Sequence, residues 1–129
     1  GMLKDCDSVV LCLPLTPETK YLFNAEMFDA MKPGAFLVNV SRGDLMDENA
    51  LVQAVKSGKV GGAVLDVFSQ EPLPPESPLW TLPEVIITPH TSGASTHLLD
   101  DAVDLFIENL KRYQEGLPLH NVVDVSHGY

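Results

Sequence analysis

The chain has 129 residues, 45% of them apolar, and a formal net charge of −10 from 18 acidic against eight basic side chains. That length suits one domain of ordinary globular composition, and no apolar run approaches the roughly 20 residues that a membrane-spanning helix needs. The Lys and Arg residues are scattered without a basic patch, which argues against nucleic acid as a partner. Cys6 and Cys12 have no Cys or His cluster around them, so no metal site is expected. They read as free thiols packed as small hydrophobes in a reducing cytoplasm. Gly1 reads as an added residue ahead of Met2, and no signal peptide is recognisable.

Ser8 to Leu13 is a continuous apolar run rich in β-branched residues that stops at Pro14, and it predicts a strand. Asn24 is placed to cap a short helix, with Glu26 in its first turn, ending before Lys32-Pro33-Gly34. Ala35 to Val40 predicts a second strand that runs directly into Ser41-Arg42-Gly43. A second helix is predicted from an Asp47 cap through Ser57, with Leu51, Val52 and Val55 on its apolar face and Gly58 at its end. Gly61 to Val67 predicts the third strand. The proline-rich loop after it holds Trp80, the only tryptophan, which is expected to pin the loop onto the core. Glu84 to Thr88 predicts a fourth strand ending at Pro89-His90. Ser95 is read as the cap of the longest helix, to about Gln114, with His97 in its first turn and Leu99, Val103, Phe106 and Leu110 on one stripe.

Strands alternating with helices across connections of a dozen or more residues predict an α/β fold: a parallel sheet with right-handed crossovers and helices on both faces. All strand-to-helix loops then lie on one edge, where ligands of open parallel sheets gather. That edge carries Thr16, Arg42, Asp66 with Glu71, and His90. The planar fork of Arg42 can bind a carboxylate and polarise a neighbouring carbonyl, although its position alone fits a surface or capping arginine equally well. His90 can exchange a proton near neutral pH, whereas a lone loop histidine is more often bonded to backbone. Glu71 is its natural partner, because a carboxylate against imidazole stabilises the imidazolium; taken singly it is an ordinary loop carboxylate. Asp66 closes a strand as apolar as Gly61 to Leu65 and must find a donor. His97, His120 and His127 lack such company and read as structural. One Arg, one Glu and one His on separate loops of a shared edge suggest general acid-base work on a small anion.

Four linked motifs stand in register: Leu13-Pro14-Leu15-Thr16 with Glu18-Thr19, Asn39-Val40-Ser41-Arg42-Gly43, Leu65-Asp66 through Glu71-Pro72, and Thr88-Pro89-His90 through Gly93. In order and spacing they resemble the D-isomer-specific 2-hydroxyacid dehydrogenase family over nearly the whole chain. The tail from Asn121 through Gly128-Tyr129 is similar to the ending of its glyoxylate/hydroxypyruvate reductase branch. The resemblance implies NAD or NADP as cofactor and a small 2-oxo or 2-hydroxy acid as substrate. It implies that Arg42 binds the 2-oxo acid, that His90 protonates the carbonyl oxygen as hydride arrives, and that Glu71 supports His90. It further implies that Asp66 bonds the nicotinamide carboxamide and that Pro14, Thr16 and Gly93 line the cofactor, with Val40, Ser41, Arg42 and His90 completing the cofactor-facing set.

Family members carry a substrate domain and a G-x-G-x-x-G loop ahead of the part matched here, and this sequence contains no such loop. The expectation is therefore a partial Rossmann-like sheet, the second half of a dinucleotide-binding domain over residues 1–116, followed by a tail, 117–129, that returns toward a substrate domain. The isolated chain is expected to be inactive. The other reading is a non-catalytic dinucleotide-sensing or assembly module of the same fold. Because the first strand loses its neighbour on one side, a homo-oligomer is expected through the exposed sheet edge or the last helix.

Overall fold

A computed structural model describes residues 1–127. Gly128-Tyr129, on which part of the tail's resemblance rests, lie outside the described residues. The chain divides into two compact units, residues 1–92 and Gly93 onward. The expected boundary near Gly116 falls inside the second.

The first unit contains β1 (Ser8–Leu11), α1 (Ala25–Ala30), β2 (Ala35–Asn39), α2 (Glu48–Lys56), β3 (Val60–Leu65) and β4 (Val85–Ile87). Its four strands are parallel in the order β1-β2-β3-β4, so each pairs with the next in sequence. Val9 stands opposite Leu37, Leu37 opposite Ala63 and Ala63 opposite Val85. This shared register turns Leu37, Ala63 and Leu65 to one face, where they are buried with Phe28, Met46, Leu51 and Val55. Each large side chain buried there contributes roughly 1.5–3 kcal/mol.

Both helices begin where the sequence places a capping oxygen. Asn24 Oδ1 accepts from the Met27 N–H at 3.2 Å, and Asp47 Oδ1 accepts from Asn49 and Ala50 at 2.9 and 3.1 Å. Met31 is already extended, as Pro33 two residues on cannot continue a helix. Gly58 takes a φ of +74° just past α2, the left-handed conformation that glycine adopts without steric cost.

Every strand is shorter than its apolar run. Pairing stops at Leu11, Asn39, Leu65 and Ile87, and the residues that follow turn away from the ladder into the loops of the carboxyl edge. Within this unit the helices cover one face. On the other, Val10, Phe36 and Ile86 remain more than half exposed.

Two expectations are corrected here. Trp80 does not enter the core: the residue is 52% exposed, its indole N–H donates to the Pro74 carbonyl at 2.9 Å, and the neighbouring Leu79 fills the core instead. The loop is thus tied to itself through the tryptophan and to the core through Leu79 and Leu82. Cys12 is exposed rather than packed, because β1 ends one residue before it.

The second unit holds α3 (Leu98–Gln114). Ser95 is not its cap, contrary to expectation: His97 holds the N-cap position without a side-chain capping bond, so the helix starts one residue later than a first-turn His97 requires, and Ser95 Oγ accepts from the His97 N–H at 3.2 Å ahead of it. The tail folds back on this helix: Asn109 bonds the His120 backbone in both directions, at 3.2 and 2.8 Å, and Arg112 Nε donates to the Pro118 carbonyl at 2.6 Å. The stripe of Leu99, Val103, Phe106 and Leu110 is exposed. No helix among the described residues is long and apolar enough to cross a membrane.

Candidate active site

Parallel strands deliver their carboxyl ends to one edge, and the four loops leaving it are fastened to one another. After β1, the Thr16 N–H donates to Thr19 Oγ1 at 2.7 Å, and that hydroxyl donates to the Pro14 carbonyl at 2.7 Å, which winds Pro14 to Lys20 into a turn. After β2, the Ser41 hydroxyl donates to the Leu13 carbonyl and joins the two loops. Asn39, fully buried at the end of β2, accepts from the Ser41 N–H at 3.2 Å and donates to the Arg42 carbonyl at 3.0 Å. This holds the 40–42 backbone while the Arg42 guanidinium, donating to the Ser41 carbonyl at 2.7 Å, stays at the surface.

The loop after β3 presses on the loop after β2. A Cβ placed on Gly43 would stand 1.9 Å from the Phe68 carbonyl carbon and 2.2 Å from the Ser69 nitrogen, so only glycine admits this contact. Glu48 Oε1 accepts from the Ser69 N–H at 2.7 Å, and Glu71 Oε1 from the Phe68 N–H at 3.0 Å. The other Glu71 oxygen lies 2.7 Å from His90 Nδ1. With Glu71 ionised, Nδ1 carries the proton and donates, and Nε2 is the ring nitrogen that Glu71 does not engage.

His90 has a φ of +53°, unusual for a residue with a Cβ. Asp66 holds the turn that follows it. Its Oδ1 accepts from the Thr88 hydroxyl and, at 2.9 Å, from the Thr91 N–H; its Oδ2 accepts from the Ser92 N–H at 2.8 Å. Burial pushes the Asp66 carboxyl up, but the bonds from Thr88 and Ser92 and the backbone N–H groups outweigh it and hold it well below the usual carboxylate range. Asp66 is 1% exposed, with its oxygens facing this turn. Glu71 is also lowered, first by its bond to His90, then by the Phe68 N–H, and with a smaller contribution from the nearby Arg42 cation.

Arg42, Glu71 and His90 therefore act on one electrostatic neighbourhood. Pro14, Thr16 and Ser41 belong to the fastened loops beside it, and the Val40 carbonyl accepts from the Ser92 hydroxyl at 3.5 Å. Gly93 opens the second unit. Asn39, Thr88 and Ser92, to which sequence reasoning gave no role, hold the backbone around these groups. The signal for Asn39 was the one that exposed Asp66, a polar residue closing an apolar strand. Among the described residues no group of His, Cys, Asp and Glu side chains is arranged to hold a metal ion.

A model of the "D-isomer specific 2-hydroxyacid dehydrogenase, NAD binding domain" family matches residues 1–92. A dehydrogenase of that family from Xanthobacter autotrophicus Py2, solved with NADPH and MES, is 43% identical with a TM-score of 0.92 over 98% of this chain and 52% of its own. An NADPH-dependent glyoxylate/hydroxypyruvate reductase from Sinorhizobium meliloti, solved with NADP and sulfate, is 38% identical with a TM-score of 0.91 over 98% of this chain and 41% of its own. An uncharacterised protein of Corynebacterium melassecola is 42% identical over 97% of this chain. The chain spans 41% of that relative's length.

Proposed function

Because the chain belongs to the D-isomer specific 2-hydroxyacid dehydrogenase family, as the match over residues 1–92 shows, we propose that it supplies the reacting edge of an NAD(P)-dependent reductase of small 2-oxo acids. The observation that carries this reading is the 2.7 Å contact of His90 with Glu71, in the field of Arg42. The Arg42 guanidinium binds the substrate carboxylate and turns the adjacent carbonyl toward His90. His90, its Nδ1 proton held by Glu71, gives the Nε2 proton to the carbonyl oxygen. Asp66 keeps His90 in its left-handed turn. The donor set fits the nicotinamide end of the cofactor: an anion-binding guanidinium and a proton donor at the carboxyl edge of a parallel sheet, beside the loops of Pro14, Thr16, Val40 and Ser41. When bound, the cofactor supplies the hydride that reaches the carbonyl carbon.

This sequence contains no Gly-rich phosphate loop, so on this reading it holds one end of a dinucleotide and the 129 residues alone do not turn over. A protein that joins these 129 residues to a Gly-rich phosphate loop and a substrate domain, mixed with NADPH and glyoxylate or hydroxypyruvate, tests the reading, with Arg42→Ala as control. Arg42-dependent loss of nicotinamide absorbance supports it, and turnover indifferent to Arg42→Ala overturns it.

We also propose that the isolated chain self-associates, since Val10, Phe36 and Ile86 on the sheet and the stripe of α3 leave apolar surface open. Sedimentation at micromolar concentration should give a dimer or larger species; a monodisperse monomer refutes it.

A further inference from the structure

The loop that carries Glu71, residues 67–71, is irregular backbone at the carboxyl edge, and two carboxylates hold it by its N–H groups. Glu71 Oε1 accepts from the Phe68 N–H at 3.0 Å. That bond closes the loop on itself and does not fix its place against the sheet. The bond that does comes from another element: Glu48 Oε1 accepts from the Ser69 N–H at 2.7 Å, across 21 residues. Glu48 stands in the first turn of α2, whose Asp47 cap and buried Leu51, Val52 and Val55 make it a rigid support. The Ser69 side chain is engaged on the same flank, since the Asp44 carboxyl is lowered first by Lys20 at 3.1 Å and, against burial, by Ser69. Contact with the Gly43 backbone blocks the loop from closing further on the loop of Arg42, and the Glu48 bond keeps it from swinging away. A glutamate in a first helical turn favours its helix electrostatically, but that role needs no bond to Ser69.

Building on the proposed reductase reading, we infer that Glu48 is a positioning residue for the proton transfer: by holding the Ser69 backbone to α2 it sets Glu71, two residues on, against His90. Glu71 and His90 are both exposed and meet at 2.7 Å from two separate loops, so burial does not steer them. A misplacement of about 1 Å in such a contact costs up to roughly a hundredfold in rate.

The Glu71 carboxyl, titrated by carbon-13 NMR in the unmodified 129-residue chain, in Glu48→Ala and in Glu48→Gln, separates this role from charge alone. His90 and Arg42 face Glu71, whose carboxyl is lowered first by its His90 bond and then by the Phe68 N–H. Removing the Glu48 charge would by itself ease ionisation of Glu71 and lower its midpoint in both variants. Loss of the hold acts the other way, because it slackens the bond that lowers Glu71 most. The expected result is a rise in Glu48→Ala and none in Glu48→Gln, whose amide oxygen still accepts from Ser69. A fall or no change in Glu48→Ala, or the same change in both variants, overturns the inference. In the protein that joins these residues to a phosphate loop and a substrate domain, Glu48→Ala is expected to lower kcat about tenfold with the KM for NADPH unchanged, and Glu48→Gln to stay within about threefold of the parent. Unaltered kcat in Glu48→Ala, beside turnover that needs Arg42, overturns the inference and leaves the reductase reading standing. Turnover indifferent to Arg42→Ala overturns the reading and with it the role of Glu48.

Discussion

Replacing Asp66 with alanine is expected to lower the unfolding free energy by about 3 kcal/mol. The substitution strands the Thr88 hydroxyl and the N–H groups of Thr91 and Ser92, which converge on one carboxylate. Bonds to a charged group are the strong ones, and a donor left without a partner costs roughly 1–3 kcal/mol. The exposure of Thr91 and Ser92 keeps the total below the sum, because their N–H groups reach water once the turn opens. Asp66→Asn should cost about half as much: its oxygen keeps part of the network while its NH2 faces a donor. Urea unfolding at constant slope measures both, and a change under about 0.5 kcal/mol for the alanine variant would contradict this account.

The same carboxylate sets the acid side of the stability curve. Its folded pKa lies below the unfolded value near 3.9. Its contribution is thus fully present above about pH 4 and drains away as pH falls toward the folded pKa. Unmodified protein should lose stability below pH 4 more steeply than Asp66→Asn does. Glu71, lowered chiefly by its His90 bond, adds to the fall in the same direction.

Gly43→Ala is expected to cost about 3 kcal/mol or more. The added methyl would stand 1.9 Å from the Phe68 carbonyl carbon and 2.3 Å from its oxygen. These are backbone atoms, and no side-chain rotation can relieve the clash. The opposing segment cannot drift away cheaply, being tied through Ser69 to Glu48 and through Phe68 to Glu71. The loop of Arg42 would have to part from the loop of Glu71. Gly93→Ala is the size-matched control, because a Cβ there meets nothing within 4 Å. Its midpoint should stay within about 0.5 kcal/mol of the parent. Equal effects from the two substitutions would mean that the Gly43 contact does not hold the loops together.

The strands were legible because β-branched runs end at prolines and glycines, and the first two helices because Asn24 and Asp47 supply caps before an apolar face. The strand ends were less so. Val67 and Phe68 continue an apolar run and are buried, but they are buried in the loop that builds the site rather than in the ladder. Hydrophobicity reports burial, and here burial outlasts pairing. Arg42, Glu71 and His90 were visible as polar residues following apolar strands. The partners of Asp66 were not, since Thr88, Thr91 and Ser92 lie 22 to 26 residues away and are brought to it by the β3 to β4 register. Trp80 misled because size predicts burial, whereas its indole N–H found the Pro74 carbonyl at the surface.

The consecutive strand order has a consequence for how the molecule comes into being. Ser8 waits only for Phe36, Phe36 for Gly62 and Ala63 for Val85, so every sheet contact closes a loop of similar, moderate length. A chain leaving the ribosome can add strands in the order of synthesis without holding one open for a distant partner. Each addition completes one more part of the edge: Arg42 arrives with β2, Glu71 after β3, and His90 only once β4 has docked. His90 is thus the last of the three set in place, and a nascent chain carries the Arg42 guanidinium at this edge before it carries the imidazole.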